Sequence, residues 1–172
     1  MSFCTQTLIF DGQLLQRGFW IYVWIIRHKE SGCIYFYVGR TGDSSSANAS
    51  SPFNRVGQHL NFKNGAKSNS LARLLQKENL DCAGLTFELS AHGPIHKEEK
   101  TRQSHDPVRD RVSAMEYALA EKLTTAIQGA SRFKRMGNVA CRKSPPDCED
   151  LKIVDQFLNE ISVKAGIPIR AK

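Results

Sequence analysis

The segment around residues 20–41 constrains the fold of this chain more than any other. It contains two runs of β-branched and aromatic residues, Phe19–Ile26 and Cys33–Val38, joined by the polar segment 27–32. Two such runs with a short polar connection containing glycine predict a β-hairpin. The hairpin in turn predicts a sheet, which the rest of the chain has to cover on at least one face.

Pairing Arg27 with Gly32 across the connection would set Tyr22 directly opposite Tyr37. Directly opposed residues share a face of the sheet, so this register sorts the side chains into two sets. One face is purely apolar and requires a covering helix: Ile21, Val23, Ile25, Ile34, Phe36 and Val38. The other is aromatic and partly polar: Trp20, Tyr22, Trp24, Ile26, Cys33, Tyr35, Tyr37 and Gly39. Because a buried hydroxyl without a partner is costly, the aromatic face requires polar groups over it.

The rest of the chain predicts helices and one further strand. The alternating segment Leu85–Leu89 is the predicted third strand. The predicted helices begin at Pro52, at Leu71 with Ser70 as N-cap, at Val108 after Pro107, and at Asp147. The expected fold class is therefore α+β, with a small, mainly antiparallel sheet of about three strands flanked by helices.

Length and composition predict one domain. The chain has 172 residues and is 41% hydrophobic, enough to bury a core of ordinary size. We expect the core to span residues 19–141, preceded by an arm at 1–18 and followed by a C-terminal helix at 147–166. The segments Asp43–Ser51 and Ala91–Asp106 are polar and lack a helical or strand period, so both predict solvated loops.

Charge and cysteine usage indicate the partners and the compartment. Lys and Arg number 24 against 17 Asp and Glu, a net charge of +7 that favours a polyanionic partner such as nucleic acid. No targeting or membrane-spanning segment is visible, so we expect a cytoplasmic protein with no membrane association. The five cysteines are scattered, which predicts free thiols; Cys141 with Cys148 is the weaker, metal-binding alternative.

Three side chains on predicted helices are candidates for chemistry. Arg55 and His59 are spaced i, i+4, so they lie on one face of their helix. Glu116 falls on or beside the buried stripe of the longest helix, where a carboxylate requires a cationic partner or a metal. A basic segment, Ser131–Arg135, could follow a phosphate backbone, and a short extended piece, 137–140, comes after it.

These features, in this order, resemble the GIY-YIG nuclease family from Trp20 to about Cys141. The resemblance consists of short motifs on the expected elements: Trp20-Ile21-Tyr22, Tyr37-Val38-Gly39, Arg55 with His59, Glu116, and Gly137-Asn138-Val139. Trp20 stands where the family has glycine. The resemblance implies a GIY-YIG-like fold and a catalytic set of Tyr22, Tyr37, Arg55, His59, Glu116 and Asn138.

The resemblance also implies hydrolysis of phosphodiester bonds in DNA with one divalent cation, Mg²⁺ or Mn²⁺, held by Glu116. Tyr22 would accept a proton from the attacking water and His59 would pass it on. A phenol of ordinary pKa, near ~10, is a poor base, so we expect Arg55 to lower the pKa of Tyr22. Arg55 would neutralise the phosphate oxygens and Asn138 would donate a hydrogen bond to them. Both tyrosine hydroxyls should then point into one basic cleft with Glu116 at its floor.

Several alternatives stay open from the sequence. A free-standing, restriction-type enzyme on double-stranded DNA fits a chain without a separate DNA-binding module, and a homodimer would let it cut both strands. A structure-specific repair or recombination nuclease, an RNA substrate and a non-catalytic nucleic-acid-binding module are the other interpretations. The candidate nucleic-acid contacts outside the catalytic set are basic: Arg40, Arg132, Lys134 and Arg135.

Overall fold

The computed structural model describes residues 5–43, 46–63, 65–140 and 145–168. Their helices and strands are, in chain order, β1 (Phe19–His28), β2 (Ile34–Arg40), α1 (Pro52–His59), α2 (Ser70–Lys77), β3 (Leu85–His96), α3 (Arg102–Ile127), β4 (Phe133–Met136) and α4 (Cys148–Ala165). Short 3-10 turns at Gly12–Leu15 and Cys82–Gly84 precede β1 and β3. The α+β class is confirmed. Among the described helices, none is long and apolar enough to cross a bilayer.

The strands form one mixed sheet in the order β3-β1-β2-β4. β1 pairs antiparallel with both β2 and β3, whereas β4 runs parallel to β2. Within the described residues the sheet therefore has four strands, one more than the expected number of about three. Because β2 and β4 run in the same direction, their carboxyl ends lie at the same edge of the sheet.

The two faces of the hairpin contain the residues predicted for them. The apolar face packs against α3 and α4 and forms one core with Val112, Met115, Leu119, Leu123, Val154, Phe157 and Ile161. The aromatic face, with Tyr22, Trp24 and Ile26 buried, packs against α1 and α2. The sheet is thus covered by helices on both faces.

The register of the hairpin differs from the predicted one. Tyr22 pairs with Gly39, and Tyr37 pairs with Trp24. The loop lies one residue further along the chain because Gly32 adopts a left-handed conformation (φ 68°), which suits a turn position rather than a strand. Since partners shift by two positions along β2, every side chain keeps its predicted face.

The prediction of a solvated loop over Ala91–Asp106 was wrong at both of its ends. β3 continues to His96, past the predicted end at Leu89, because it pairs with β1 along its length. α3 begins at Arg102, where the Thr101 side chain accepts a hydrogen bond from the Ser104 amide. Pro107 therefore lies inside the helix rather than at its start.

Two smaller boundaries also differ. The basic segment Ser131–Arg135 overlaps β4, in which Phe133 and Met136 are buried while the two basic side chains between them are not. This strand is too short to show a clear alternation in the sequence. At α2 the N-cap position belongs to Asn69, and Ser70 is the first helical residue.

The segment Asp43–Ser51 has neither helix nor strand in its described part, as predicted, but it is anchored at Ala49. The Ala49 amide donates to Glu98 Oε1 (2.9 Å), and its carbonyl accepts from Gly18 N (3.0 Å). Arg17 of the N-terminal arm binds the same Glu98 carboxylate through two nitrogens. The arm and this segment are therefore tied to each other and to the residues that follow β3.

Candidate active site

A polar cavity of about 260 Å³ opens at the edge of the sheet where β2 and β4 end. Its side chains come from separate elements: Tyr37 and Arg40 from β2, Asp43 from the following turn, Arg55 from α1, Ser70 from α2, Ser113 and Glu116 from α3, and Asn138 after β4. Four of the predicted catalytic residues, Tyr37, Arg55, Glu116 and Asn138, therefore line the same cavity. Tyr22 and His59 do not line it and lie buried beside it.

Helix α1 presents Arg55 to the cavity. The Ser51 side chain caps the helix by accepting from Asn54 N, and Pro52 occupies its first turn, where no amide donor is needed. The Arg55 guanidinium donates one hydrogen bond to Asp43 Oδ2 (2.9 Å) and one to Gln58 Oε1 (2.8 Å). Its Nε is buried without a hydrogen-bond partner.

One turn further along α1, His59 pairs with Tyr22. The Tyr22 hydroxyl and His59 Nε2 are 2.6 Å apart, and each residue is only 1% exposed. Gly39 makes room for the phenol ring, because a Cβ at this position would lie 2.5 Å from a Tyr22 ring carbon. The glycine of the second motif is thus explained by a close approach to Tyr22, its partner across the hairpin.

The protonation states of this pair follow from burial. Burial, and next the positive charge of Arg55, lower the pKa of His59 to about 4, so the imidazole is neutral at pH 7. Burial raises the pKa of Tyr22, and the nearby Arg55 opposes this rise without cancelling it. The expectation that Arg55 would bring the Tyr22 pKa below its ordinary value was therefore wrong. Both groups are neutral, and a single proton joins them.

Glu116 lies in the wall of the cavity and forms an ion pair with Arg40. Arg40 Nε donates to Glu116 Oε2 at 2.9 Å, with the two side chains 6% and 16% exposed respectively. Burial raises the pKa of Glu116, and Arg40 counteracts part of that rise. Arg40 Nη1 is also buried and has no partner. Arg40, predicted to contact nucleic acid, thus lies at the candidate site with its guanidinium bound to the predicted metal ligand.

The charges of the cavity are balanced. Arg40 and Arg55 face two carboxylates, Glu116 and Asp43, and each arginine is paired with one of them. The expectation of a basic cleft is therefore only partly met: Tyr37 and Glu116 line the cavity, Tyr22 is buried below it, and its ionised groups cancel in pairs. An anionic ligand alone would have to compete with Asp43 and Glu116 for the arginines.

The donor set fits a hard divalent cation. Within the described residues no group of three or more His, Cys, Asp and Glu side chains could hold a metal, so a closed zinc site does not fit. Mg²⁺ commonly uses one or two carboxylates together with water and substrate phosphate. Glu116, with Asp43 in the same wall, offers that arrangement. The alternative ligand Cys141 lies outside the described residues.

The remaining predicted nucleic-acid contacts lie elsewhere and have local partners. Arg132 donates to the Gly166 carbonyl (2.9 Å) and lies over the Phe133 ring. Lys134 forms an ion pair with Glu78. Arg135 donates to Thr124 Oγ1 (2.6 Å) and to the Gly137 carbonyl. The last two border a cavity between α3 and β4 that contains none of the predicted catalytic residues.

Three polar residues of the cavity wall, Asp43, Ser70 and Ser113, were missed as site residues by the sequence analysis, which named Ser70 only as an N-cap. Ser113 precedes Glu116 by three residues on α3, so the helical period could have found it. Asp43 carries no such signal, since it follows the end of β2 in a segment without a period. Its position becomes apparent only from its ion pair with Arg55.

Comparison of the chain with models of protein families, with curated proteins and with solved structures finds no match.

Proposed function

We propose that this protein is a metal-dependent endonuclease that hydrolyses phosphodiester bonds in DNA, with a GIY-YIG-like site. One observation carries the proposal: Tyr37, Arg55, Glu116 and Asn138 come from four different parts of the chain and line one cavity, directly beside the Tyr22–His59 pair. These are the residues that the motifs single out. They also supply the groups that such a hydrolysis requires, namely a proton acceptor, cationic and neutral phosphate contacts, and a carboxylate for a divalent cation.

Tyr22 and His59 transfer the proton of the attacking water. The Tyr22 hydroxyl takes the proton while it releases its own to His59 Nε2, so the phenol need not be ionised beforehand. This sequence suits a phenol whose pKa is raised and an imidazole that is neutral and 2.6 Å away. Since the His59 pKa lies near 4 before substrate binds, the imidazole acts as a relay and not as a strong base.

Arg55 and Asn138 hold the phosphate. Arg55 exchanges Asp43 for the non-bridging phosphate oxygens, and Asn138, which lines the same cavity, donates a hydrogen bond to them. Glu116 would hold Mg²⁺ or Mn²⁺, and Arg40, once released from Glu116, would become available to the DNA backbone. A bound divalent cation supplies polarisation of the phosphate and stabilisation of the departing 3′ oxygen.

The net charge of +7 favours a polyanionic substrate such as double-stranded DNA, and a restriction-type enzyme acting as a homodimer would cut both of its strands. The second candidate is a nucleic-acid-binding module without catalysis. The pairing of both cavity arginines with carboxylates favours the enzyme, because a surface built only to bind polyanions gains nothing from neutralising its own cations.

The deciding experiment is digestion of supercoiled plasmid with Mg²⁺ or with EDTA, by the natural chain and by Glu116→Gln. We expect cleavage only with metal, and a loss of at least about a hundredfold in the variant, because the metal loses its charged ligand. Glu121→Gln, which changes an exposed carboxylate further along the same helix, is the matched control and should cut normally.

Binding of plasmid without cleavage by the natural chain would favour the non-catalytic module. Full activity of Glu116→Gln, with an unchanged melting temperature, would remove Glu116 from the mechanism.

A further inference from the structure

A second polar cavity adjoins the candidate active site. It has a volume of about 480 Å³ and lies between residues 46–50 and the later part of α1. Asp43 and Arg55 line both cavities and so form the boundary between them. The other lining residues are all polar: Arg17, Ser46, Asn48, Ser50, Gln58 and Ser68. Such side chains offer many hydrogen-bond donors and acceptors to a ligand.

The wall formed by residues 46–50 is anchored at Ala49 by hydrogen bonds. Ala49 is fully buried, and its amide and carbonyl are bound by Glu98 and Gly18. Glu98 is in turn held by Arg17, at 2.5 Å and 2.6 Å from the two guanidinium nitrogens. Arg17 therefore both lines the cavity and fixes the segment opposite α1. This arrangement orders a stretch of Ser, Ala and Asn residues that has no helix or strand to order it.

In the wall formed by α1, a hydrogen bond from Arg55 fixes which way the oxygen of the Gln58 amide points. Gln58 Oε1 accepts from Arg55 Nη1 at 2.8 Å. Because a guanidinium only donates, the oxygen of the Gln58 amide has to face Arg55. The NH₂ group of the same amide is then turned away from Arg55. Gln58 lines the second cavity, so it brings to this cavity donors that Arg55 does not use.

We propose that the second cavity holds the nucleotide next to the scissile phosphate, with the Gln58 amide donating to an acceptor on that nucleotide. The inference rests on the proposed function, in which Arg55 holds the scissile phosphate. Since Arg55 stands at the boundary, a nucleotide joined to that phosphate has to leave the first cavity on one side or the other. The second cavity offers it a polar space whose boundary carries a guanidinium. This assigns a positioning and specificity role to Gln58, beyond the catalytic set.

The test uses substitutions that place a negative charge in this cavity. Gln58→Glu keeps an oxygen for Arg55 and replaces the donors by a second oxygen. Ser46→Glu adds a charge on the facing wall, at an exposed position outside regular structure, and it is measured in parallel in case Gln58→Glu does not fold. Gln76→Glu, the same change at an exposed site of α2 that lines neither cavity, is the control. Thermal melting verifies that each variant is folded.

The readout is the dissociation constant of a labelled short DNA duplex by fluorescence anisotropy in EDTA. We expect Gln58→Glu and Ser46→Glu each to weaken binding about tenfold, since a like charge would face the nucleotide. Gln76→Glu should change binding by less than about twofold, because a distant surface charge is screened. Equal affinity of all three variants would overturn the second cavity as a nucleotide site.

The two proposals fail separately. If the natural chain cuts plasmid but Gln58→Glu and Ser46→Glu bind the duplex like Gln76→Glu, the hydrolase stands and the nucleotide site is wrong. If the natural chain cuts nothing but both cavity variants weaken duplex binding, the second cavity stands as a DNA contact, while the hydrolase proposal fails and with it the assignment of a neighbouring scissile phosphate.

Discussion

The apolar face and the aromatic face of the sheet come from alternating residues of the same two strands, yet they differ in how they are satisfied. The apolar face needs only close packing, which α3 and α4 provide with aliphatic and phenyl groups. The aromatic face carries hydroxyl and indole groups, each of which needs a hydrogen-bond partner once α1 and α2 cover it.

That requirement is only partly met on the aromatic side. Among the described residues, the buried polar atoms without a partner include Trp24 Nε1, His59 Nδ1, Arg55 Nε and Arg40 Nη1. These four belong to the aromatic layer or to the candidate site, whereas a fifth such atom, His105 Nδ1, lies on α3 beside Phe19 of the apolar core. Unsatisfied buried groups are costly, and they persist mainly where function requires them. The apolar face therefore contributes stability, whereas the aromatic face gives up some stability to position polar groups.

Phe36→Ala disrupts the apolar face and should lower the stability of the protein more than any change on the aromatic face. Phe36 is fully buried beside Phe133, so its loss leaves a cavity and should lower the free energy of unfolding by about 3–5 kcal/mol. Urea denaturation measures the change. Phe62→Ala removes the same group from an exposed position and serves as the control. If the folded fraction of Phe36→Ala has also lost plasmid cleavage, the two faces are not functionally separate.

The division of the hairpin into two faces could be read from the sequence because side chains alternate along a strand with period two. The predicted register was wrong, because Tyr22 pairs with Gly39 and not with Tyr37. This shift of two positions leaves every side chain on its predicted face. The position of Gly32 in the turn decided the register, and a glycine followed by a strand residue does not reveal whether it belongs to the loop or to the ladder.

The candidate site was predictable where it consists of motifs on regular elements, and unpredictable where it depends on tertiary pairing. The spacing of Arg55 and His59 and the inward position of Glu116 follow from the helical period. Glu116 pairs with Arg40, which is far from it in the sequence. Arg55 pairs with Asp43, which lies in a turn without a periodic pattern. The burial that raises the pKa of Tyr22 likewise results from α1 packing over the sheet, which no local pattern reports.

Lowering the pH should destabilise the protein through His59, which lies on α1 and packs against the aromatic face. Its pKa is about 4 in the folded protein against 6.5 in the unfolded chain, so the unfolded state binds more protons between these values. Stability should be complete above pH 6.5 and fall as the pH drops towards 4, by up to about 3 kcal/mol. The measurement is urea denaturation at several pH values, for the natural chain and for His59→Gln. The natural chain should lose more stability than the variant, and parallel curves would show that His59 is not the titrating group.

Tyr22→Phe changes the aromatic face, and it should have the smallest effect on stability but a large effect on plasmid cleavage. Removing the hydroxyl leaves the ring packed and deprives His59 Nε2 of its partner, which should lower the free energy of unfolding by about 1 kcal/mol. Plasmid cleavage should fall by at least about a hundredfold, the usual contribution of a positioned proton acceptor. Tyr35→Phe removes a hydroxyl from the same face of β2 outside the candidate site, and it should alter neither quantity appreciably. If Tyr22→Phe cleaves like Tyr35→Phe, the buried phenol is a packing group with a hydrogen-bonded hydroxyl. The proton would then have to leave the attacking water by a route that does not include Tyr22 and His59.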